Sequence, residues 1–572
     1  MSSDYDVLII GGGPAGSTAG SLLAKYAPRL RIGILEREKF PREHVGESQL
    51  PLISKILHEM GVWEKVEAAG FPIKIGGTYR WGRTDELWDF DFIKGGKLTA
   101  IARPGTFTGQ RQNTAFQVDR AIYDEILLTH AQSMGCEVRQ ATPVREVKRE
   151  GDRVEGLVLE DGSVLTARHY IDASGNSGIL RRTMQIDLDT PSNLQNIAIW
   201  NYWTDAEWAV TIGHGGTRVQ ILSQKIGWIW FIPVGRDRTS IGLIVPAEYY
   251  KRRGVRPEDL YYEAVQGDRL VSRLIANAKK EAEVRTTKDW SYVAERLAGE
   301  NWFLAGECAG FADPILSAGM SLSQSGAREV AYAILALDRG EYEADWIKRQ
   351  YTLNHSGHIR QHIRFADYWY TAHGAFSDLK DHAAVIAGEA GLQMSSEEAW
   401  QWLGQGGFID TGGGTDIGFF GSLATKELIS SFTGQQAFYA IEGKTHFKLN
   451  LDGAEKDWVA QLSNGRMTRY RSYTKGKHTL PVVNTMGWTV RLLKDEMTYA
   501  EIRDAAKAHA IGKMTTEEYR FFWSQVVKSL EALVSYGWAE ARMAEGFEAC
   551  PRFQADLDQT VHPNRDIAVD SE

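Results

Sequence analysis

Apolar positions follow one another almost without a break in YDVLII (5 to 10) and in RIGIL (31 to 35). Such runs predict buried strands. The small-residue segment between them, PAGSTAGSLLAKY, predicts a helix, so the chain opens as a βαβ unit. Helical spacing returns in PLISKILHEMGVWEKVEAAG (51 to 70) and QVDRAIYDEILLTHAQSMG (117 to 135). Residues 76 to 115 and 195 to 245 instead alternate Thr, Ile, Trp and Gly, the pattern of strands. Strand-turn-helix grammar comes back in YIDASGNSG (170 to 178) and across 301 to 337.

This order predicts an α/β chain of mixed α+β character. A Rossmann-type domain in three pieces (1 to 75, 116 to 185 and 285 to 379) is interrupted by an antiparallel sheet domain (76 to 115 and 186 to 284). A mostly helical C-terminal region follows from 380 to 572, with helices expected at 498 to 510 and 515 to 540. The glycine-dense stretch from 404 to 421 has no strand before it and is expected to be a loop. No internal repeat is visible.

The first turn carries chemistry. Gly11 permits the tight turn, Gly13 lets the backbone approach a pyrophosphate, and Gly16 lets helix and strand pack closely. Pro14 and Ala15 begin the helix, whose N-terminus suits phosphate. Glu36 ends the second strand, where it can accept ribose hydroxyls. Strand, glycine turn, helix, strand and terminal acid together predict a dinucleotide site.

Composition narrows the remainder. The 572 residues, 43% hydrophobic and 24% charged, are those of a large globular protein. There is no apolar run of the roughly 18 residues needed to span a bilayer, and no leader-like N-terminus, so a cytoplasmic enzyme is expected. A net charge of −9 argues against nucleic-acid binding. The cysteines, Cys136, Cys308 and Cys550, have neither disulfide nor zinc spacing, and no metal site is expected. The basic stretch RMTRYRSYTKGKH (466 to 478) is expected to be a solvated strand or loop; its other reading is a docking patch for an anionic partner such as a carrier protein.

Three separated segments, LEREKFPREHVGESQLP (35 to 51), QVDRAIYD (117 to 124) and LAGECAGFADP (304 to 314), resemble those of FAD-dependent monooxygenases. WIWFIP (228 to 233) fits the WxWxIP signature of flavin-dependent halogenases, and FADPILSAG (311 to 319) fits their FxxPxxSxG signature. The resemblance covers roughly residues 1 to 370; the layout with KDWSY (288 to 292) and the long tail is most similar to the chloramphenicol-pathway type. It implies an FADH2-dependent halogenase of secondary metabolism, fed by a separate flavin reductase, that uses O2 and chloride or bromide to make hypohalous acid. Around the FAD it implies Arg37, Arg42, Glu47, Ser48, Arg120, Asp289, Gly306, Glu307, Pro314, Gly319 and Met320 beside the fingerprint residues. Asp289 would either tether the flavin ring or hold a structural hydrogen bond.

Two departures stand out. Glu307 follows Gly306 where the family has Asp, which shifts the expected contact to the ribityl chain. Leu316 precedes Ser317, Ala318 and Gly319, where the tryptophan-specific branch carries its glutamate. An activated substrate is therefore expected: a phenol, a pyrrole or an acidic carbon, free or carrier-bound.

The halide is expected at the free N–H groups of Ala318 and Gly319, with Ser317 as helix cap. Trp228, Trp230 and Ile232 fall on one strand face and would form a stiff wall ended by Pro233, admitting halide but not organic substrate; the plainer reading is sheet core. Phe71, Ile73 and Ile75 are expected on one face and Lys74 on the other. The resemblance makes Lys74 the residue that holds hypohalous acid, by hydrogen bond or as a haloamine. A monooxygenase or reductase of the same fold, or a carrier-docking module formed by the C-terminal region, are the alternative functions.

Overall fold

The computed structural model describes residues 3–81, 86–93, 96–99, 102–192, 194–281, 283–371, 439–476, 478–551, 561–564 and 566–567. Contacts divide the chain into one compact unit of residues 1–379, 464–466 and 558–572, and a second of residues 380–463 and 467–557.

The opening apolar run becomes the centre of a parallel sheet. Tyr5–Ile10 lies between Ile32–Leu35 and Ala167–Asp172; Glu137–Arg139 and Trp302–Leu304 take the two edges. Val7, Leu8 and Ile9 are buried, as a strand covered on both faces requires. The helix Pro14–Tyr26 packs on the long helix Gly319–Arg339, which joins the first and last pieces of the discontinuous domain.

The interrupting sheet is larger than its sequence segments. Among the described residues it has ten strands. The row Gln195–Thr204, Arg238–Pro246, Gly227–Pro233 and Gly216–Gln224 is antiparallel, but Gly216–Gln224 then pairs in parallel with Ile73–Arg80. That last strand crosses the expected boundary at residue 75. Arg285–Trp290, expected in the Rossmann piece, also belongs to this sheet through Gln195–Trp200. Val561–Pro563 adds a further strand to Leu87–Asp91, so the last residues return to the first unit. Pro233 ends the strand as expected: it makes the last ladder pair, opposite Thr239, and the chain then turns, closed by a Val234 N–H bond to the Arg238 carbonyl.

One face of the sheet is an apolar core in which Ile229, Phe231, Ile241 and Leu243 meet Leu260, Tyr261, Val265 and Val271 from the helices Pro257–Gly267 and Arg269–Leu274. The opposite face carries Trp228, Trp230 and Ile232.

The described part of the second unit adds two small sheets to the expected helices. His446–Leu449 pairs with Met497–Thr498 and Ala539–Arg542. The strand Arg466–Lys475 is solvated as expected, with Arg466 and Arg471 exposed. Tyr499–Ala510 and Thr516–Ser535 each begin with a capping box, Thr498 with Glu501 and Thr515 with Glu518. Residues 404 to 421 lie outside the described residues. Among the described residues no helix is long and apolar enough to cross a membrane.

The returning tail completes a buried ion cluster. Arg218 Nε donates to Asp91 at 2.8 Å and Nη1 to Asp566 at 2.8 Å, while Asn564 Nδ2 donates to both oxygens of Asp89 at 2.8 Å. Asp566 is 44% exposed and Arg218 keeps Asp91 without it, so that ion pair contributes about 1 kcal/mol, while loss of Asn564 leaves the buried Asp89 short of that donor at a cost of about 1 to 3 kcal/mol. Truncation before Val561 should therefore lower Tm by several degrees, and Asp566→Ala should reproduce part of that loss. Thermal melts unchanged by both would show that the tail strand does not hold this sheet.

Candidate active site

The phosphate cradle is built as the glycines predict. Gly11 has φ +103°, and a Cβ there would lie 2.3 Å from the Ala173 carbonyl oxygen; one at Gly16 would lie 1.9 Å from that of Gly11. At Gly13 a Cβ would meet only an Arg42 guanidinium nitrogen, at 3.2 Å, so the space in front of the helix start is open to a ligand. Arg42 Nη1 is buried without a hydrogen-bond partner among the described residues, and its Nη2 lies 3.4 Å from Asp124. An unpartnered buried donor beside the N-terminus of the helix Pro14–Tyr26 suits a phosphate oxygen. Glu36 accepts from Gly12 N–H at 2.7 Å and Glu38 N–H at 2.8 Å, one on each oxygen, which leaves lone pairs for ribose hydroxyls. Arg37 is exposed and donates to Ser177 Oγ at 3.2 Å.

Farther in, charge is concentrated under burial. Arg120 makes a two-point contact with Asp124 at 2.8 and 2.9 Å and donates to the Val45 and Gly46 carbonyls at 3.0 Å. Burial raises Glu307, with Arg120 and Arg42 pulling it back. Gly306 has φ +67°, and a Cβ there would lie 3.0 Å from Ser323 Oγ and 3.2 Å from Ala15 Cβ. Burial pushes Glu47 up to about 7 although Tyr202 O–H donates to it at 2.6 Å. The Ser48 hydroxyl is buried without a partner among the described residues. Open cradle, buried arginines and unpartnered donors fit a flavin dinucleotide.

The tryptophan row is tied to the next loop by a chain of hydrogen bonds. The Trp228 and Trp230 rings lie 6.1 Å apart. Trp230 Nε1–H donates to Ser240 Oγ at 3.1 Å, and Trp228 Nε1–H donates to the Tyr370 hydroxyl at 2.6 Å. That hydroxyl donates in turn to Asp313 Oδ2 at 3.0 Å, which also accepts from Asn196 Nδ2 at 3.2 Å. Asp313 Oδ1 accepts from Ile315 N–H at 2.9 Å and so fixes the 3-10 turn Pro314–Leu316. Burial raises the Asp313 carboxyl to about 6 against those hydrogen bonds. Ser317 follows in the left-handed region at φ +57°, and the helix Gly319–Arg339 starts with no acid in its first turn. Ala318, not Ser317, occupies the cap position, and no side chain caps it. The first N–H groups therefore remain free of intrahelical partners. A Cβ on Gly319 would meet nothing within 4 Å, so there is room beside the helix start, and Met320 next to it is buried.

Lys74 reaches this face by a slip in register. Lys74 stands opposite Thr217, but Gly76 stands opposite Arg218, so Ile73–Arg80 carries one extra residue there. On Gly216–Gln224 the two-residue period puts Thr217, Val219 and Ile221 on one face, and Ile221 is opposite both Trp230 and Tyr79. Without the extra residue, Lys74 and Tyr79 would point to opposite faces; the bulge turns Lys74 onto the tryptophan side. The alternation expected of Ile73, Lys74 and Ile75 holds: Ile73 and Ile75 pack together with Ile93 and Leu98, and the bulge that follows brings the other face, with Lys74, into line with the tryptophans. Lys74 is 2% exposed, with Ala115 opposite on its other side and Phe92 5.5 Å from Nζ. Among the described residues no carboxylate pairs with it, and burial alone lowers its ammonium to about 7.

The backbone of Asp289 pairs opposite Asn196; its side chain lies outside the described residues. Tyr370, Asp313, Asn196 and Tyr202 were missed by sequence reasoning. Only Asp313 had a local signal, the acid of FADP before a turn. The Trp228–Tyr370 link is tested by a double-mutant cycle: Trp228→Phe and Tyr370→Phe should each destabilise the protein and couple by about 1 kcal/mol. Strict additivity would contradict the hydrogen bond.

The family model of the FAD binding domain matches residues 4–366. Tryptophan 2-halogenase of Chondromyces crocatus is 30% identical over 374 residues, 63% of this chain and 66% of that protein. The 1H-pyrrole-2-carbonyl-(peptidyl-carrier protein) chlorinase of Pseudomonas fluorescens is 32% identical over 374 residues, 63% of this chain and 81% of that protein. Among solved structures, the myxobacterial chondrochloren halogenase CndH aligns with TM-score 0.58 and 28% identity over 69% of this chain and 92% of that one. CmlS, a flavin-dependent halogenase, aligns with TM-score 0.71 and 25% identity over 97% of this chain and 98% of that one, so the likeness extends through the C-terminal unit. The fingerprint, the two motifs and these relatives agree: the chain belongs to the FAD-binding-domain family and, within it, to the flavin-dependent halogenases.

Proposed function

We propose that the chain halogenates an activated carbon of a phenol, a pyrrole or an acidic position beside a carbonyl, as a cytoplasmic enzyme supplied with reduced FAD by a separate reductase. The observation that carries this reading is the bulge that turns Lys74, buried and without a counter-ion among the described residues, onto the tryptophan face. Once reduced, bound FAD supplies the activation of O2 that oxidises chloride or bromide to hypohalous acid.

The residues divide the remaining work. Gly11, Gly13 and Gly16 bring the helix N-terminus to the pyrophosphate, Arg42 donates to it, and Glu36 takes ribose hydroxyls. The N–H groups at Ala318 and Gly319 hold the halide in the positive end of a long helix dipole. Trp228 and Trp230, locked by Ser240 and Tyr370, keep the organic substrate from the flavin while the smaller ion passes. Lys74 receives the hypohalous acid. A pKa of about 7 leaves much of its amine neutral near neutral pH, with an N–H that can donate to the acid and a lone pair that can attack its halogen, the O–halogen bond breaking and the hydroxide leaving as water with the amine proton. Leu316 in place of an acid supports an activated substrate, and the pyrrole-carrier chlorinase among the relatives supports carrier-bound presentation as one form of it.

Gly13→Val should abolish FAD uptake, measured by flavin absorbance after gel filtration, because the side chain occupies the phosphate space. Retained affinity would reassign the cradle. Lys74→Ala should leave FAD binding and reoxidation nearly intact but lower halogenated product about a hundredfold, roughly 2.7 kcal/mol of transition-state stabilisation. Lys74→Arg should be impaired as well, since guanidinium stays protonated. In the wild type, product per flavin turnover should rise as pH passes about 7 and the amine loses its proton. A Lys74→Ala enzyme that halogenates normally would sink this assignment.

A further inference from the structure

The long helix that starts at Gly319 carries a second cluster unrelated to the flavin. Glu329 projects from it toward His355 and His358 on the neighbouring helix Ala344–Thr371, and one ligand atom from each lies within 4.8 Å of the others. Glu329 is ten residues along the helix from Gly319, about 15 Å at the helical rise, so the cluster is separate from the halide loop.

Its polar atoms are unusually unmet. His355 is 0% exposed, and neither of its ring nitrogens has a hydrogen-bond partner among the described residues. His358 Nε2 and Glu329 Oε2 are likewise buried without partners. His358 Nδ1 stands 3.5 Å from Glu329 Oε1, close to the roughly 3.3 Å that separates two ligands of a tetrahedral ion with 2.0 to 2.1 Å bonds. Leaving such groups dry and unpaired costs about 1 to 3 kcal/mol each, so something is expected to meet them.

The surroundings place the His355 ring closely. A Cβ on Gly326 would lie 2.3 Å from that ring, so glycine, costly inside a helix, makes the room it occupies. Tyr351 stacks on it with ring centres 5.7 Å apart and planes at 12°.

We propose that Glu329, His355 and His358 bind a zinc-class divalent cation that staples the helix Gly319–Arg339 to the helix Ala344–Thr371. Two imidazole nitrogens and one carboxylate oxygen, with water as a fourth ligand, suit zinc; magnesium and calcium prefer oxygen ligands throughout. The staple joins the helix that begins at the halide loop to the helix that carries Tyr370, and so fixes the spacing across which Tyr370 meets Asp313. Its role is structural.

The test is metal analysis of the full-length, FAD-loaded protein grown with zinc and freed of loose ions by gel filtration. Wild type should carry about one zinc per chain. His355→Gln and His358→Gln should each lose it while keeping the flavin absorbance that reports a folded protein. After chelation, added Zn2+ should raise the wild-type Tm by several degrees, whereas it should not move His358→Gln and Mg2+ should not move the wild type. If either variant fails to fold, the wild-type metal content and Zn2+ melt decide alone. Wild type without zinc and with a Tm indifferent to it, or zinc retained equally by both variants, overturns the proposal.

Discussion

A carboxylate taken out of water has to be met by hydrogen bonds, and Asp313 gathers three segments of chain around itself to satisfy that need. Tyr370 comes from the end of a 28-residue helix, Asn196 from the interrupting sheet, and the Ile315 N–H from the turn before Ser317. Because the Tyr370 hydroxyl also accepts from Trp228, the tryptophan wall and the loop are positioned by the same group. Each piece alone would be loose: a strand of bulky side chains, a left-handed serine, a helix end. Joined through one buried acid, they set the distance between wall and loop.

A second constraint is the extra residue between Lys74 and Gly76. A sheet offers a side chain only two directions, and an unbulged strand would have sent Lys74 away from the tryptophans. The slip turns it inward. There burial lowers its pKa to about 7, and the proposed chemistry uses that displaced ionisation. The cost of burying an amine is thus borne at the place where a neutral amine is useful.

Much of this was legible in the sequence. The glycine turn was, because Gly11 and Gly16 are demanded by backbone contacts that any residue with a Cβ would break. The row Trp228, Trp230 and Ile232 was, because a period of two needs no partner to be read. The bulge was not: which residue is extra depends on the register of Gly216–Gln224, some 140 positions away. Tyr370 lies 142 residues from Trp228, and the tail strand Val561–Pro563 meets Leu87–Asp91 across most of the chain. Contacts of that range leave no periodic trace. Pro233 as the end of the tryptophan strand was legible too, because a residue without an N–H suits the last position of a ladder. Ser317 was read as a cap from its residue type, but its left-handed backbone takes it out of that role.

If the bulge buries Lys74 as a displaced amine on the tryptophan face, the pH titration of its side chain will report it, followed by NMR of protein carrying 13C at lysine Cε, with Lys74→Arg assigning the signal. The expected midpoint is about 7, well below that of an ordinary lysine. A Lys74 signal that titrates with the other lysines near 10.4 would contradict it.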